Sequence, residues 1–300
     1  MEHLSEKARS LIDAPNDQKI LYANTDRWIG YPRAKEILES LEDLMCYPKT
    51  DRMPNLLIIG DSNNGKTKIL KHFMKRYQVD IDEDTALILE PVVMVSAPSK
   101  PDENSFYIRL LQELCTPYVK NESASVKRER VIRVLKKRKT RMLIIDEIQH
   151  VIAGSYNSQR NFLNAIKDLS NTLQIPIVGA GIEDAFHAIQ VDTQLANRFQ
   201  VEVLQRWKIN TSDDKKNFAR LIASIEQSLV LPEASYLYKK PYLDQIHYLS
   251  EGLIGEAFQV LRQLAIFSIK NNQPCINQET FESLKLLPPS SRRNLLNQLR

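Results

Sequence analysis

Residues 60–67 read Gly60-Asp61-Ser62-Asn63-Asn64-Gly65-Lys66-Thr67, a GxxxxGK[ST] pattern whose chemistry is phosphate binding. In such a loop successive backbone N–H groups point at one anion, and a helix starting directly behind it adds its positive end. Lys66 is then placed to neutralise the β- and γ-oxygens of a nucleoside triphosphate, and Thr67 to ligate Mg²⁺. Ile69, one turn into the helix, completes the candidate nucleotide contacts. Asn63 and Asn64 occupy loop positions where glycine is common, which asparagine tolerates because it enters left-handed backbone geometry more readily than most residues. Farther along, Leu143-Ile144-Ile145 ends in Asp146-Glu147, an apolar strand delivering two carboxylates. In this Walker B arrangement Asp146 holds Mg²⁺ through its water shell, and Glu147 orients and deprotonates an attacking water. Alone, an apolar run ending in Asp-Glu is a weak signal; downstream of a phosphate loop it is a strong one.

These side chains need a scaffold, and the hydropathy pattern supplies one. Residues 55–59 form a short continuous apolar run, the mark of a strand buried on both faces, and it leads straight into Gly60. Helix and strand patterns then alternate: helix 66–77, strand 91–95, helices 104–114 and 125–137, strand 142–145, helix 159–173, and strands at 175–178 and 201–204. Such alternation predicts an α/β layer with a mainly parallel sheet. Before it, Ile37, Leu38, Leu41 and Leu44 recur at helical spacing over 33–45. After Trp207 strand character fades. Thr211 and Asp214 suggest a capping box, followed by Phe218, Leu221, Ile222, Ile225 and Leu229 on one helical face, and further helices are expected after Pro241, over 255–270 and over 277–286. The expected organisation is an N-terminal extension (1–26, with Pro15 and Asn16 breaking any helix), an α/β nucleotide-binding domain (27–207), a small helical domain (208–287) and a tail (288–300).

Composition removes other classes. With 300 residues, 43% hydrophobic and 26% charged, the chain is globular in type. No apolar stretch approaches the ~20 residues of a membrane helix and no signal peptide opens the chain, so the expectation is a cytoplasmic protein without a membrane partner. Cys46, Cys115 and Cys275 stand alone, without the spacing of a disulfide framework or a zinc site. Glycine is scarce: eight residues, against an average usage of about 7%. Two bracket the phosphate loop. Net charge is +4, yet residues 127–141 (KRERVIRVLKKRKTR) hold nine basic residues against one glutamate, so the positive field is local.

The order and content of these motifs resemble the AAA+ ATPases, and more closely the TniB family of transposition ATPases, relatives of TnsC and MuB. The resemblance rests on Arg27-Trp28-Ile29-Gly30-Tyr31-Pro32-Arg33-Ala34, on Met53-Pro54 running into the phosphate loop, on Asp146-Glu147-Ile148-Gln149-His150, on Pro176-Ile177-Val178-Gly179 and on Gln194-Leu195-Ala196-Asn197-Arg198-Phe199. It implies an AAA+ P-loop core with a helical lid. It further implies that Ile29, Gly30 and Tyr31 line an adenine pocket, whereas the same aromatics also suit a plain anchor beneath the first helix. Arg198 matches the arginine that reaches a neighbouring subunit's ATP site; a salt bridge within the chain to Asp192 or Glu202 is the competing reading. Two positions depart from the AAA+ pattern: Gly179-Ala180-Gly181-Ile182 offers no clear polar sensor-1 residue, and Glu256 stands near the place of a sensor-2 arginine. Slow, partner-stimulated hydrolysis is therefore expected.

The resemblance also implies ATP-dependent binding of double-stranded target DNA, self-association into rings or helical filaments, and recruitment of a DDE transposase (TniA/TnsB-like) with a TniQ-like adaptor. Lys100, Lys120, Lys127, Arg128 and Arg130 are the candidate phosphate contacts. A solvated helix face, or pairing with the next subunit, competes for the basic run. A helicase-loader or replication-initiator-like AAA+ protein and a DNA-independent protein remodeller are the alternative functions.

Overall fold

The computed structural model describes residues 2–298. Helices α1 (Glu6–Arg9), α2 (Asn16–Asn24) and α3 (Pro32–Cys46) open the chain. Next come β1 (Asn55–Gly60), α4 (Lys66–Met74), a hairpin of β2 (Asp80–Asp82) and β3 (Leu87–Leu89), then β4 (Val92–Ser96), α5 (Glu103–Glu113), α6 (Ala124–Lys137) and β5 (Met142–Asp146). A 3-10 turn over Ile148–Ala153 leads to α7 (Tyr156–Leu173), β6 (Ile177–Gly181), α8 (Asp184–Gln190), α9 (Thr193–Ala196) and β7 (Phe199–Leu204). Only helices follow: α10 (Ser212–Glu226), α11 (Tyr242–Ser250), α12 (Ile254–Lys270), α13 (Gln278–Leu284) and α14 (Pro289–Gln298). The chain divides into two compact units, one spanning Pro32–Leu204, the other combining residues up to Tyr31 with those from Gln205 onward.

In the first unit five parallel strands run in the order β4-β5-β6-β1-β7. Every residue of β1, β5 and β6 is buried, as a sheet covered by helices on both faces demands. Phe106, Tyr107, Leu110, Phe162, Ile166 and Leu169 from α5 and α7 fill one such face against Val93, Leu143 and Ile145. Because neighbouring strands are parallel, their carboxyl ends share one edge: Ser96 is opposite Asp146, Ile59 opposite Gly181 and Gly60 opposite Leu204. This is the edge where open α/β sheets bind ligands. The expected α/β alternation is present. The hairpin β2–β3 is an addition that the acidic stretch Asp80-Ile81-Asp82-Glu83-Asp84 gave no reason to expect.

In the second unit Thr211 forms the expected capping box with Asp214 at the start of α10. The N-terminal residues differ from the expected extension. Leu4, Ala8 and Tyr22 form a core with Val230, the Ser5 N–H donates to the Gln227 carbonyl at 2.8 Å, and Asn16 Nδ2 donates to the Ile269 carbonyl at 3.1 Å. Pro15 does not break a helix there but precedes α2, where its missing N–H costs nothing. The tail is helical as far as described, its last two residues lying outside the described residues. Arg292 on α14 pairs with Glu256 on α12, and the Ser290 N–H donates to Glu251 Oε1 at 2.8 Å. No described helix is long and apolar enough to cross a membrane.

Candidate nucleotide-binding site

The phosphate loop leaves β1 at Gly60 and re-enters helix at Lys66. Gly65 sits at φ 92°, a region that side chains disfavour, so the tight entry to α4 requires glycine there. The two asparagines split their roles. Asn63 adopts the left-handed conformation at φ 61°, as its residue type allows, whereas Asn64 is buried and donates from Nδ2 to the Leu204 carbonyl at 2.7 Å. Asn64 therefore ties the loop to the end of β7, a role its sequence position did not announce. Asp61 and Ser62 are exposed at the loop tip. Ile69 is 1% exposed, buried on α4 like Leu70 and Phe73.

Lys66 is buried, and its Nζ donates to the Gly60 and Asp61 carbonyls at 2.7 and 2.8 Å. Burial pulls its ammonium below the ordinary lysine value, against the opposing pull of Glu147, Asp146 and Asp61. The cation is thus held over the loop between carbonyls it can exchange for phosphate oxygens. Thr67 Oγ1 donates to Asp146 Oδ2 at 2.7 Å, so the end of β5 and the first turn of α4 bring a hydroxyl and a carboxylate to one point. Two hard oxygen donors fit Mg²⁺, which keeps waters and takes its remaining ligands from substrate phosphates. Among the described residues no cluster of three or more acidic, His or Cys side chains could hold a metal ion.

Glu147 follows Asp146 in a left-handed conformation (φ 55°), an uncommon backbone state for a non-glycine residue that turns the chain sharply after the strand. Its N–H donates to Asp146 Oδ1 at 2.9 Å. Its carboxylate accepts a hydrogen bond from Gln149 Nε2, and Gln149 Oε1 accepts from the Ile182 N–H at 3.3 Å. Gln149 is the residue that sequence reasoning missed. It stands in the Asp-Glu-Ile-Gln-His segment, but only the fold reveals its partner 33 positions on. The glycine at the end of β6 has the same origin: a Cβ on Gly181 would lie 2.4 Å from Gln149 Oε1 and 2.7 Å from Ala185 Cβ.

Ile29, Gly30 and Tyr31 belong to the second unit, where the buried Tyr31 ring meets Trp207 edge-on at 5.3 Å. Arg198 lies between α9 and β7 and donates to Asn171 Oδ1 at 2.7 Å. The carboxylates considered for it are engaged differently: Asp192 pairs with Lys167 at 3.0 Å, and Glu202 with Arg33.

The basic run reads differently once folded. Lys127 is fully buried, and its Nζ donates to Asn104 Oδ1, the Lys120 carbonyl and the Glu122 carbonyl at 2.9, 2.9 and 2.7 Å. A side chain sealed in this way cannot touch DNA, which corrects its assignment. It falls on the inner face of α6 with Val131 and Leu135 because all three share a helical stripe. Arg128 forms two hydrogen bonds to Asp168, and Arg130 two to Glu122. Lys100 and Lys120 are exposed.

Residues 19–209 match the family model described as bacterial TniB protein. No curated protein matches the sequence. Among solved structures, Cdc6p from Pyrobaculum aerophilum superposes with a TM-score of 0.61 at 15% identity, covering 89% of this chain and 70% of that one. The Aeropyrum pernix ORC1 protein, solved in complex with DNA, gives 0.55 at 13% identity over 89% and 68%. Domain III of the Thermotoga maritima replication initiation protein DnaA gives 0.54 at 17% identity over 87% and 95%. At these identities the likeness establishes the fold, that of the AAA+ P-loop ATPases.

Proposed function

The chain belongs to the TniB family, and from that premise we propose that it is an ATP-dependent DNA-binding regulator of transposition, which oligomerises on double-stranded target DNA and recruits a DDE transposase with a TniQ-like adaptor. The observation carrying this reading is the assembly of Lys66, Thr67, Asp146 and Glu147 at one edge of a parallel sheet, in a chain of this family. ATP occupies the loop, and Mg²⁺, held by Thr67 and Asp146, supplies charge neutralisation at its phosphates. Lys66 binds the β/γ oxygens, Glu147 orients and deprotonates water, and Gln149 fixes the Glu147 carboxylate. Because β6 ends in small residues and no polar sensor side chain, hydrolysis is slow, and ATP acts mainly as an assembly switch. A basal turnover well above the general enzyme median of about 10 s⁻¹ would count against that.

DNA contact falls to Lys100 and Lys120, whose charges are exposed, and the phosphate chemistry they offer is independent of sequence. Two contacts per subunit correspond to a log–log salt slope of about −1.8 per subunit bound. Electron microscopy of protein with duplex DNA, compared without nucleotide, with ADP and with a non-hydrolysable ATP analogue, tests the whole reading. ATP-dependent rings or filaments on DNA are expected, and their absence under every condition would sink it. The initiator-like alternative draws on the shared fold with Cdc6p, ORC1 and DnaA. Stimulation of turnover by a replicative helicase, and not by a transposase, would favour it.

A further inference from the structure

Three contacts fasten the loop over residues 97–102, which carries Lys100, to the 3-10 turn that follows β5. The Ala97 N–H donates to the Asp146 carbonyl at 2.8 Å, and His150 Nδ1 donates to the Ala97 carbonyl at 3.4 Å. A carbonyl only accepts, so the ring proton of this contact is on Nδ1. At the far end of the turn Gly154 is packed against Pro101: a Cβ there would lie 2.3 Å from Pro101 Cγ and 2.8 Å from its Cδ. Ala97, Pro98 and Pro101 are buried accordingly, while Ser99 and Lys100 between them are exposed. The loop is held at both ends and presents one cation at its tip.

The same turn sets the Glu147 carboxylate. Ile148 and Val151 are buried in the core and fix the inner face of the turn. Gln149 donates to the Glu147 side chain, and the His150 N–H donates to the Glu147 carbonyl at 3.0 Å. Glu147 is at φ 55°, a left-handed state that a non-glycine residue keeps only where its surroundings impose it. His150 is one of the groups that impose it, because its N–H holds the Glu147 carbonyl while its ring holds the 97–102 loop. Farther along, Gln159 Nε2 donates to the Ile152 and Gly154 carbonyls at 3.0 and 2.8 Å, which pins the far end of the turn to α7. A displacement of Ala97 is thus taken up at the near end, where Glu147 is.

We propose that His150 is a positioning residue for Glu147, through which the Lys100 loop sets the orientation of that carboxylate. The inference rests on the ATPase and DNA-binding reading above and extends it by a residue that joins the two sites. A duplex phosphate drawn to Lys100 loads the loop, and His150 passes the load to the turn. The Glu147 carboxylate then changes its angle to the attacking water, while the phosphate loop over 60–67 is untouched. Turnover therefore responds to DNA and affinity for ATP does not, a split that a coupling acting on the chemical step permits.

The test uses the full-length chain with and without duplex DNA, and reads turnover together with affinity for a fluorescent ATP analogue. His150→Phe keeps a planar ring and removes the N–H. It should lose at least about tenfold in turnover with DNA, since a misplacement of about 1 Å can cost ~10²-fold, and keep analogue and DNA affinities within about twofold of wild type. His150→Asn carries an N–H as many bonds from Cβ as Nδ1 and should recover most of that loss. Gly154→Ala, which pushes Pro101 off the turn, should lower the ratio of turnover with DNA to turnover without it. Wild-type turnover in His150→Phe would overturn the proposal and leave the ATPase reading intact. Equal losses in His150→Phe and His150→Asn, or a loss matched by weaker analogue binding, would give His150 a merely structural role and overturn it too. Wild-type turnover that DNA leaves unchanged would overturn the link to the loop. Failure of the wild-type chain to bind the analogue would bring down the ATPase reading and the proposal with it.

Discussion

Replacing Lys127 by methionine keeps the aliphatic stem and deletes the ammonium that satisfies three oxygens. Those acceptors are Asn104 Oδ1 and the carbonyls of Lys120 and Glu122, each 2.7–2.9 Å from Nζ. A hydrogen bond to a charged group contributes roughly 1.5–3 kcal/mol, and the three are not additive because they share one donor and water can reach part of the 120–123 loop. A loss of about 2–4 kcal/mol is therefore expected, or a fall in Tm of roughly 6–12 °C for a unit of this size. Lys120→Met is the control. That side chain is exposed, so its effect should stay within about 0.5 kcal/mol. Thermal melts followed by circular dichroism measure both. DNA titrations over a range of salt supply the second reading: Lys120→Met should flatten the slope by about one unit, and Lys127→Met should leave it unchanged. If Lys127→Met melts with the wild type and flattens the slope, the buried cation is a DNA contact and the structural argument is wrong.

Three further outcomes follow from the same geometry. Lys66→Ala should abolish detectable ATP binding in a fluorescence titration, because no other residue of the 60–67 loop carries a positive charge; retained micromolar affinity would contradict the loop's role. Gly181→Ala places a methyl within 2.4 Å of Gln149 Oε1 and 2.7 Å of Ala185 Cβ, so it should leave ATP affinity within about twofold and lower turnover by about 10²-fold as Glu147 loses its support; unchanged turnover would show that Gln149 does not position Glu147. Burial raises the Asp192 carboxyl, but Lys167 and the Leu195 and Gln194 N–H groups outweigh it and hold the group below the ordinary aspartate value. Its contribution to stability is complete above the unfolded value of about 3.9 and disappears as pH falls through the lower folded value, so Asp192→Asn should be less stable than wild type at pH 7 and lose less on acidification, as read from melts between pH 7 and pH 2.

What the sequence made legible was local in the chain. The phosphate loop declares itself because eight contiguous residues do one job, and β1 and β5 because a strand buried on both faces must be apolar throughout. The basic run was less legible because some of its charges have partners far away in the chain: Asp168 lies 40 positions from Arg128, and Glu90 48 positions from Arg138. A charge count along the chain cannot see them. The N-terminal helices were hidden likewise, since the groups that anchor them, Gln227 and Ile269, come more than 200 residues later.

The absence of a polar residue at the end of β6 and the hydrogen bond that supports Glu147 are two sides of one packing decision. In this fold the end of β6 is adjacent to the end of β1, with Gly181 opposite Ile59, and a Cβ on Gly181 would meet Gln149 and Ala185. Gln149 reaches across from the 3-10 turn and fills that space with an amide whose donor end holds Glu147 and whose acceptor end takes the Ile182 N–H. Only glycine leaves room for it. The amide carries no charge, so it can orient the Glu147 carboxylate, proposed above to activate water, while adding no positive charge to the site. On the proposed ATPase reading, a site built this way favours retention of nucleotide over its cleavage.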